Sequence, residues 1–224
     1  MRHIIIGFGE VGAGLHKVIG GDVVDPIKGM DTEGTCDMLH VCIPHSELFY
    51  KVVTSYQERF KPSYTVIHST VPIGTSASLG AHHSPVRGVH PNIDVGILTF
   101  VKFVSGPQAE EVAKELNNFG IKTRVVSNTK DTEAGKIWST TQYGFSIILN
   151  KLIYKWCQEH GVDFDIAYKE FNKTYNDGYM QLGRSEVVRP YLNYVDGEIG
   201  GHCVIQNLRF LENEIVDFIK QHNS

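Results

Sequence analysis

Three glycines near the amino terminus have the spacing of a phosphate-binding turn. Gly7, Gly9 and Gly12 follow three consecutive isoleucines and precede a stretch with helical periodicity. In such a strand–turn–helix unit the first glycine makes the tight turn, the second lets a pyrophosphate approach the backbone, and the third lets the helix pack closely. The phosphates of a dinucleotide would then bind the unpaired amides at the positive end of the helix. The residues expected to contact it are Gly7, Phe8, Gly9, Glu10, Val11 and Gly12.

A glycine-rich turn that binds some other nucleotide, or none, is the competing interpretation, and an acidic residue after the second apolar run bears on it. Asp25 directly follows the apolar pair Val23–Val24 and comes eighteen residues after Gly7. This is near the roughly 20-residue spacing of the acid that hydrogen-bonds an adenine ribose. A carboxylate there would repel a 2′-phosphate, so the sequence favours NAD over NADP as the cofactor.

Two further apolar runs end in residues that suit a ligand-facing loop. The first run stops at Pro44, and the second carries hydroxyl groups before Pro72. Ligands of doubly wound sheets bind beyond the carboxyl ends of the strands. We therefore expect these strand ends to line the same cofactor site, through Cys42, Ile43, Pro44, Ser69 and Thr70.

Two residues in the second half of the chain are suited to catalysis. Lys136 lies early in a long helical stretch, and Cys203 follows two glycines and His202. A cysteine at the start of a helix would meet the positive helix end, which favours the nucleophilic thiolate. The alternatives are a solvated helix lysine and a small buried structural thiol.

The order of these motifs resembles one dehydrogenase group. A dinucleotide fingerprint, a Ser-Thr-Val-Pro strand end, a helix lysine and a Gly-Gly-x-Cys loop are similar to the UDP-glucose and UDP-N-acetylmannosamine dehydrogenases of the 6-phosphogluconate dehydrogenase-like superfamily. The resemblance implies that Thr70 lies beside cofactor and substrate, and that Lys136 stabilises the oxygen of the reacting intermediate. It also implies that Cys203 forms a thiohemiacetal and then a thioester while an alcohol is oxidised to an acid.

Three departures from that family bear on the activity. Thr140 replaces an asparagine four residues after the lysine, and Asn207 replaces an aspartate four residues after the cysteine. The family also has a further nucleotide-sugar-binding domain that this sequence does not include. We therefore expect either a smaller substrate or a second subunit that completes the site. The expected function is an NAD-dependent oxidoreductase acting on an alcohol of a small or sugar-derived substrate. A non-catalytic NAD-binding module, serving as a sensor or partner subunit, is the alternative.

A polar stretch between the two halves is a candidate substrate loop. Its His90–Pro91 pair is similar to one in prephenate dehydrogenases. The charged side chains and the imidazole groups of this stretch could bind an anionic substrate. An ordinary polar connection is the alternative. The residues expected to bind substrate are His90, Asn92, Arg189 and His202.

No metal site is expected from the histidines and Cys203. Adjacent histidines point apart, and the spacing matches no ligand pattern. The residues that could have supplied metal ligands are His82, His83, His90, His202 and Cys203.

The elements that must position these residues form two predicted domains. Strands alternate with helices up to Val126, which predicts an α/β fold with a doubly wound parallel Rossmann sheet over residues 1–129. Residues 130–224 are expected to form a small all-α domain for substrate binding and dimerisation. Its predicted helices are 132–160, 164–182 and 206–221.

The charge, the cysteine pattern and the apolar runs of the sequence limit the classes of partner and the cellular compartment that we expect. The 224 residues carry a net charge of −4 and no basic run, which argues against a nucleic-acid surface. Four cysteines without a CxxC pair suggest reduced thiols in the cytoplasm. We expect neither a signal peptide nor a membrane span. Aromatic residues on more than one face of the long helix predict a homodimer, namely Trp138, Tyr143, Phe145 and Trp156.

Overall fold

The computed structural model describes residues 1–88, 91–200 and 203–223. The chain divides into two compact units, Met1–Lys136 and Ile137–Ser224. The boundary therefore lies within the long helix α6, Thr129–His160, whose first turns belong to the first unit. The reason is local, because Thr132 and Glu133 hydrogen-bond to groups of the first unit.

The first unit is built on a seven-stranded sheet in the order β2-β1-β3-β4-β5-β6-β7. All four residues of β1 are buried, as in a sheet covered on both faces. The strands are β1 His3–Ile6, β2 Asp22–Val24, β3 Met38–Val41, β4 Tyr64–Ile67, β5 His82–His83, β6 Lys102–Ser105 and β7 Thr123–Val126.

The sheet confirms the predicted doubly wound Rossmann architecture, with one difference in direction. Strands β1 to β5 are parallel to one another, whereas β6 pairs antiparallel with β5, and β7 pairs parallel with β6. The chain returns to β6 through α4, Ile93–Thr99, and so re-enters the sheet from the edge where β5 ends. The first residue of β6, Lys102, therefore lies at the carboxyl edge of the parallel strands.

Helices cover both faces of the sheet. Ile5 packs on one side with Leu15 and Leu116, whereas its neighbours Ile4 and Ile6 pack on the other side with Phe60. This alternation follows from the period of two in a strand. The helices of this unit before α6 are α1 Glu10–Ile19, α2 Phe49–Phe60, α3 Thr75–Ser78, α4 Ile93–Thr99 and α5 Ala109–Asn118.

The sequence did not predict α3, α4 or the two-residue strand β5. Helix α4 packs closely on α1, because a Cβ added at Gly14 would lie 2.6 Å from Ile93 Cγ2. A Cβ added at Gly96 would likewise lie 2.6 Å from the Cα of Gly88. The missed helix thus depends on small residues that let backbones approach each other.

The second unit is helical, as predicted. Helix α6 runs to His160 and ends at Gly161, whose φ is +64°. A π-helical segment over Asp165–Glu170 continues into α7, Phe171–Gln181, so the predicted second helix is present with altered geometry in its first turns. Shorter segments follow, with 3₁₀ helices at Ser185–Val187 and Ile205–Phe210 and α8 at Glu214–His222.

The prediction of one continuous helix over residues 206–221 is wrong. The 3₁₀ helix ends before Leu211, which is extended at φ −130° and ψ 140°. Asn213 then caps α8, its side-chain oxygen accepting hydrogen bonds of 3.0 Å from the amides of Ile215 and Val216. An asparagine in this position begins a new helix, which separates the two segments.

The core of the second unit forms between α6 and the carboxyl-terminal segments. Gly144 makes this packing possible, because a Cβ there would lie 2.6 Å from Val204 Cγ1. The buried residues of this cluster are Ile148, Ile199, Val204, Leu208, Val216 and Ile219.

Some aromatic side chains of α6 stay outside this core. Phe145 packs against Phe218, whereas Trp138, Tyr143 and Trp156 are 43%, 54% and 52% exposed. The homodimer expected from these residues stays a prediction. Among the described residues, no helix has the length and apolar character needed to cross a membrane.

Candidate functional site

The three-glycine turn, Gly7–Gly12, connects β1 to α1. Gly7 has φ +88°, a conformation that favours glycine. A Cβ at Gly12 would lie 1.9 Å from the carbonyl oxygen of Gly7, so only glycine lets the helix approach the turn. A Cβ at Gly9 would meet nothing within 4 Å, which leaves open space against the backbone.

Helix α1 begins at Glu10, directly after this open position. Gly9 is its N-cap, and no side chain in the described ranges caps it. Its first-turn amides therefore keep the positive character of a helix amino end. Glu10 is exposed and Val11 partly buried at this end.

The turn lies at the point where the order of the strands reverses. β1 pairs with β2 on one side and with β3 on the other, and ligand crevices of doubly wound folds form at such switch points. A Cβ at Gly7 would lie 2.8 Å from Ile43 Cγ2. Ser69 donates a 2.6 Å hydrogen bond from Oγ to the carbonyl of Ile43, which ties the loop after β4 to the loop after β3.

Cys42 and Pro44 flank Ile43 in this loop, with Cys42 buried and Pro44 exposed. Burial raises the pKa of the Cys42 thiol to about 12, so this residue is an unreactive packing group. Thr70 follows Ser69 at the same edge and is partly buried.

Asp25 connects the loop after β2 to the three-glycine turn. Its Oδ2 accepts a 2.8 Å hydrogen bond from the amide of Phe8, and its Oδ1 accepts bonds from the amides of Ile27 and Lys28. Lys28 Nζ in turn donates to the carbonyl of Phe8 at 2.6 Å and lies 5.3 Å from the centre of its ring. The end of β2 therefore presents an ammonium as well as the predicted carboxylate.

The first turns of α6 are fixed to the carboxyl edge of the sheet by buried polar contacts. Glu133 is fully buried and accepts hydrogen bonds from the amides of Gly74 and Ser76 at 2.6 and 2.8 Å. One residue earlier, Thr132 Oγ1 lies 2.8 Å from His83 Nδ1. These contacts hold the first turns of α6 within the first unit.

Lys136 comes one turn later and acts electrostatically on the same edge. Burial lowers the pKa of His83 to about 3, while its hydrogen bond to the carbonyl of Ser69 opposes that shift and the charges of Lys102 and Lys136 add to it. His82 points to the other side of the strand, toward the carbonyls of Thr65 and Pro107. The two adjacent histidines therefore do not converge on a common ion.

Lys102 is a second lysine at this edge, and it is 4% exposed. Its Nζ donates to the carbonyls of Ser84 and Pro85 at 2.6 and 3.2 Å. Burial lowers the pKa of Lys102 to about 7, with Lys136 and Arg87 lowering it further and Cys42 raising it. The site edge thus contains a lysine that changes charge near neutral pH.

Solved structures of several dehydrogenases have the same fold. A UDP-D-ManNAc dehydrogenase from Pyrococcus horikoshii matches with a TM-score of 0.77 and 15% identity, over 100% of this chain and 68% of its own. An NDP-N-acetyl-D-galactosaminuronic acid dehydrogenase from Methanosarcina mazei Go1 matches with 0.65 and 15%, over 99% and 66%. A 3-hydroxyisobutyrate dehydrogenase from Mycobacterium tuberculosis matches with 0.69 and 10%, over 98% and 91%.

These likenesses establish the fold that the sequence motifs implied. The chain spans about two thirds of the length of the first and second of these proteins. No protein-family model and no curated protein matches the sequence.

The predicted residues of the second unit have local roles in the structure. Thr140 Oγ1 donates to the carbonyl of Ile137 at 2.9 Å, and Asn207 is buried in the 3₁₀ helix. Cys203 is exposed, and a short 3₁₀ helix follows it rather than the predicted α-helix. The predicted α-helical amino end beside this thiol is therefore wrong, because six 3₁₀ residues do not provide one.

Two of the expected substrate residues lie in the described ranges, one in each unit. Asn92 is exposed at the N-cap of α4. The guanidinium of Arg189 lies 3.7 Å from the ring centre of Tyr175, and its backbone exchanges two 2.8 Å hydrogen bonds with the side chain of Asn176. His90 and His202 lie outside the described residues.

Sequence reasoning did not single out Lys28, Lys102 or Glu133. Lys102 begins a strand whose other residues are mainly apolar, and a charge in that position signals a buried polar contact. Glu133 directly precedes the small residues of the lysine motif. Lys28 lies in the Pro-Ile-Lys-Gly turn after Asp25, a pattern consistent with many loops.

Proposed function

We propose that this chain binds a nicotinamide dinucleotide at the three-glycine turn and oxidises an alcohol of a small or sugar-derived substrate. The observation that carries the proposal is the open backbone at Gly9, which precedes an uncapped helix at the switch point of a doubly wound sheet. Such a turn fits a pyrophosphate, because the amides face the space that a side chain would fill. The dehydrogenase structures with this fold support the same class of ligand.

We propose NAD rather than NADP as the cofactor. Asp25 Oδ2 accepts one amide hydrogen bond, and a carboxylate oxygen has a second acceptor position for a ribose hydroxyl. Its negative charge opposes a 2′-phosphate. The positive charge of Lys28 would attract a 2′-phosphate, so the preference for NAD over NADP is expected to be moderate.

The chain's own residues supply the remaining chemistry. Lys136 would stabilise negative charge on the substrate oxygen, and Thr70 would lie beside cofactor and substrate. Cys203 would provide the sulfur nucleophile that adds to an aldehyde carbon, which allows a second oxidation to the acid. When bound, the nicotinamide ring accepts hydride from the substrate carbon.

A non-catalytic NAD-binding module is the second candidate. The observation that favours it is Asn207, which is 8% exposed and carries an amide where the resembling family has an aspartate. A buried amide does not act as a general base. Turnover of NAD with sugar nucleotides and hydroxy acids, followed by the absorbance of the reduced nicotinamide, separates the candidates. In an enzyme, Lys136→Ala and Cys203→Ser abolish or slow turnover while NAD still binds.

Two glycine variants test dinucleotide binding. Gly9 has φ −74°, which any residue adopts, so Gly9→Ala is expected to fold with stability within about 1 kcal/mol of the wild type. We expect its NAD dissociation constant, measured by calorimetry, to rise at least about tenfold, or about 1.4 kcal/mol. Unchanged affinity in Gly9→Ala contradicts the proposed pyrophosphate position.

Gly12→Ala is the matched control. Its Cβ would lie 1.9 Å from the Gly7 carbonyl oxygen, so overpacking is expected to cost about 1–3 kcal/mol of stability. The two variants thus separate a ligand contact from a folding requirement within one turn. Wild-type protein that binds neither NAD nor NADP overturns the proposed function as a whole.

A further inference from the structure

A chain of three histidines crosses the interior of the sheet. His3 Nδ1 lies 3.0 Å from His40 Nε2, and His40 Nδ1 lies 2.9 Å from His68 Nε2. The three residues come from β1, from β3 and from the end of β4, and they are 5%, 0% and 1% exposed. Three imidazoles in series are unusual in a sheet whose other buried positions are largely apolar. Each buried ring nitrogen in the series needs a hydrogen-bond partner.

The two ends of this histidine chain meet groups of different character. His68 Nδ1 lies 2.8 Å from the carbonyl oxygen of Ser84, at the carboxyl edge of the sheet. At the other end, His3 Nε2 lies 3.0 Å from Glu115 Oε1 on α5. Glu115 is the partly exposed end, with a side-chain accessibility of 11%.

The Ser84 carbonyl determines the direction of every hydrogen bond in the series. A carbonyl only accepts, so His68 carries its proton on Nδ1 and accepts at Nε2. His40 must then donate from Nδ1 and accept at Nε2, and His3 must donate from Nδ1. With three neutral imidazoles, the lone pair of His3 Nε2 would therefore face a Glu115 carboxylate oxygen.

One additional proton removes this conflict. Either His3 is an imidazolium that donates to the Glu115 carboxylate, or Glu115 is protonated and donates to His3 Nε2. Both arrangements satisfy all four contacts with the same number of protons. The geometry thus requires one proton more than three neutral imidazoles and a carboxylate contain.

The charges around the series place that proton at the Glu115–His3 end. Burial lowers the pKa of His40 and of His68 well below the ordinary value, and Lys102 adds to both shifts. The charge of His3 also lowers the pKa of His40. The charges of His40 and His83 likewise lower the pKa of His68. Glu115 also lies 3.8 Å from the terminal amino group of Met1 and accepts a 3.0 Å hydrogen bond from Asn118.

We propose that Glu115, His3, His40 and His68 form a proton-binding switch that couples surface pH to the carboxyl edge of the sheet. With its proton bound, the series is a continuous set of hydrogen bonds from α5 to Ser84. When the proton leaves, the carboxylate of Glu115 and the lone pair of His3 oppose each other, while the three hydrogen bonds from His3 to Ser84 keep their direction. Relief of that repulsion shifts His3, and with it the imidazoles of His40 and His68 that are bonded to it in series.

The switch acts on loops that carry proposed site residues, and this part rests on the proposed function. His68 directly precedes Ser69 and Thr70. The Ser84 carbonyl also accepts the Lys102 hydrogen bond of 2.6 Å. A rearrangement of His68 therefore reaches the loops after both β4 and β5. Dinucleotide affinity is expected to decline as the proton is lost, by at most about tenfold per pH unit for one linked proton.

Glu115→Gln tests the proton count, because a glutamine amide donates to His3 Nε2 without an additional proton. Glu111→Gln is the matched control, since Glu111 is exposed on the same helix and the charge change is the same. Nitrogen-15 spectra of the imidazoles and carbon-13 spectra of the glutamate carboxyls, recorded from neutral to alkaline pH, report the protonation of each group.

In the wild type and in Glu111→Gln we expect either one imidazolium among the three histidines or a protonated Glu115 at neutral pH. In Glu115→Gln we expect three neutral imidazoles with Nδ1 protonated, without change over the same range. Three neutral imidazoles beside an ionised Glu115 in the wild type overturn the proposal.

A second measurement separates this inference from the proposed function. The NAD dissociation constant is measured against pH for the same three proteins. We expect it to rise with pH in the wild type and in Glu111→Gln and to change less in Glu115→Gln. Equal pH dependence in all three overturns the coupling. Absence of NAD binding at every pH, with the additional proton present in the spectra, contradicts the proposed function and leaves the proton count established.

Discussion

Replacing Lys102 by methionine removes a buried ammonium from the carboxyl edge of the sheet. The side chain is 4% exposed, and burial is the main reason that its pKa falls from 10.5 to about 7. At about 1.36 kcal/mol per pKa unit, this difference corresponds to roughly 5 kcal/mol between the charged and neutral forms. A lysine with a lowered pKa in the folded state contributes stability that is present above pH 10.5 and is lost as the pH falls toward 7.

Methionine keeps an unbranched apolar stem but removes two hydrogen bonds. The Ser84 carbonyl keeps its bond from His68, whereas Pro85 loses the donor that the lysine supplies. An unsatisfied buried carbonyl costs about 1–3 kcal/mol. At pH 7 that loss is partly offset, because the variant no longer desolvates a charge. We therefore expect Lys102→Met to be within about 2 kcal/mol of the wild type at pH 7.

The sharper expectation is the pH dependence of the free energy of unfolding. From pH 7 to 9 the wild type should gain about 2–3 kcal/mol relative to Lys102→Met, at about 1.4 kcal/mol per pH unit. Urea denaturation followed by far-ultraviolet circular dichroism at several pH values measures this difference. The thiols of Cys36 and Cys42, whose pKa values burial raises to about 11 and about 12, are common to both proteins.

Lys122→Met is the control for loss of a lysine from the same strand pair. Lys122 is exposed, and its backbone carbonyl accepts the amide of Lys102 at 2.7 Å. Its substitution should leave the pH dependence of the wild type unchanged. If Lys102→Met and the wild type show parallel curves, Lys102 is charged equally in the folded and unfolded states and the reasoning fails.

Two predictions concern cofactor preference and thiol reactivity. Lys28→Met is expected to increase the preference for NAD over NADP by roughly threefold to tenfold, and Asp25→Asn to decrease it similarly, because each removes one charge beside the ribose position. Calorimetric titration with both cofactors measures this, and equal affinity of the wild type for both contradicts it. Iodoacetamide should label exposed Cys203 before Cys36 and Cys42, whose pKa values burial raises to about 11 and about 12. Mass spectrometry that finds Cys36 labelled as fast as Cys203 contradicts this.

The fold could be predicted from sequence wherever one short-range pattern determines an element. The isoleucine run, the glycine spacing and the carboxylate at Asp25 each reflect local chemistry, and the structure has β1, α1 and β2 there. Helix α4 was missed because it depends on the close approach of Gly14 and Ile93, which are far apart in sequence. The break before α8 was missed because Asn213 was not recognised as the residue that caps a new helix.

The candidate site could be predicted only in part. The loops after β1, β3 and β4 each end an apolar run, and parallel strands bring such ends to one edge. The polar groups within the edge were not predicted, because their partners are distant along the chain. His3, His40 and His68 each lie in or directly after an apolar strand, and this shared position is the signal that could have indicated a contact.

Polar side chains, rather than apolar packing alone, hold the loops at the carboxyl edge of the sheet. Ser69 bonds the carbonyl of Ile43, His83 bonds the carbonyl of Ser69, and Lys102 bonds the carbonyl of Ser84. Because a hydrogen bond is directional, these contacts restrict the loops to few conformations. The same contacts depend on protonation where the donor is titratable. A change in pH is therefore expected to alter dinucleotide affinity before it unfolds the first unit.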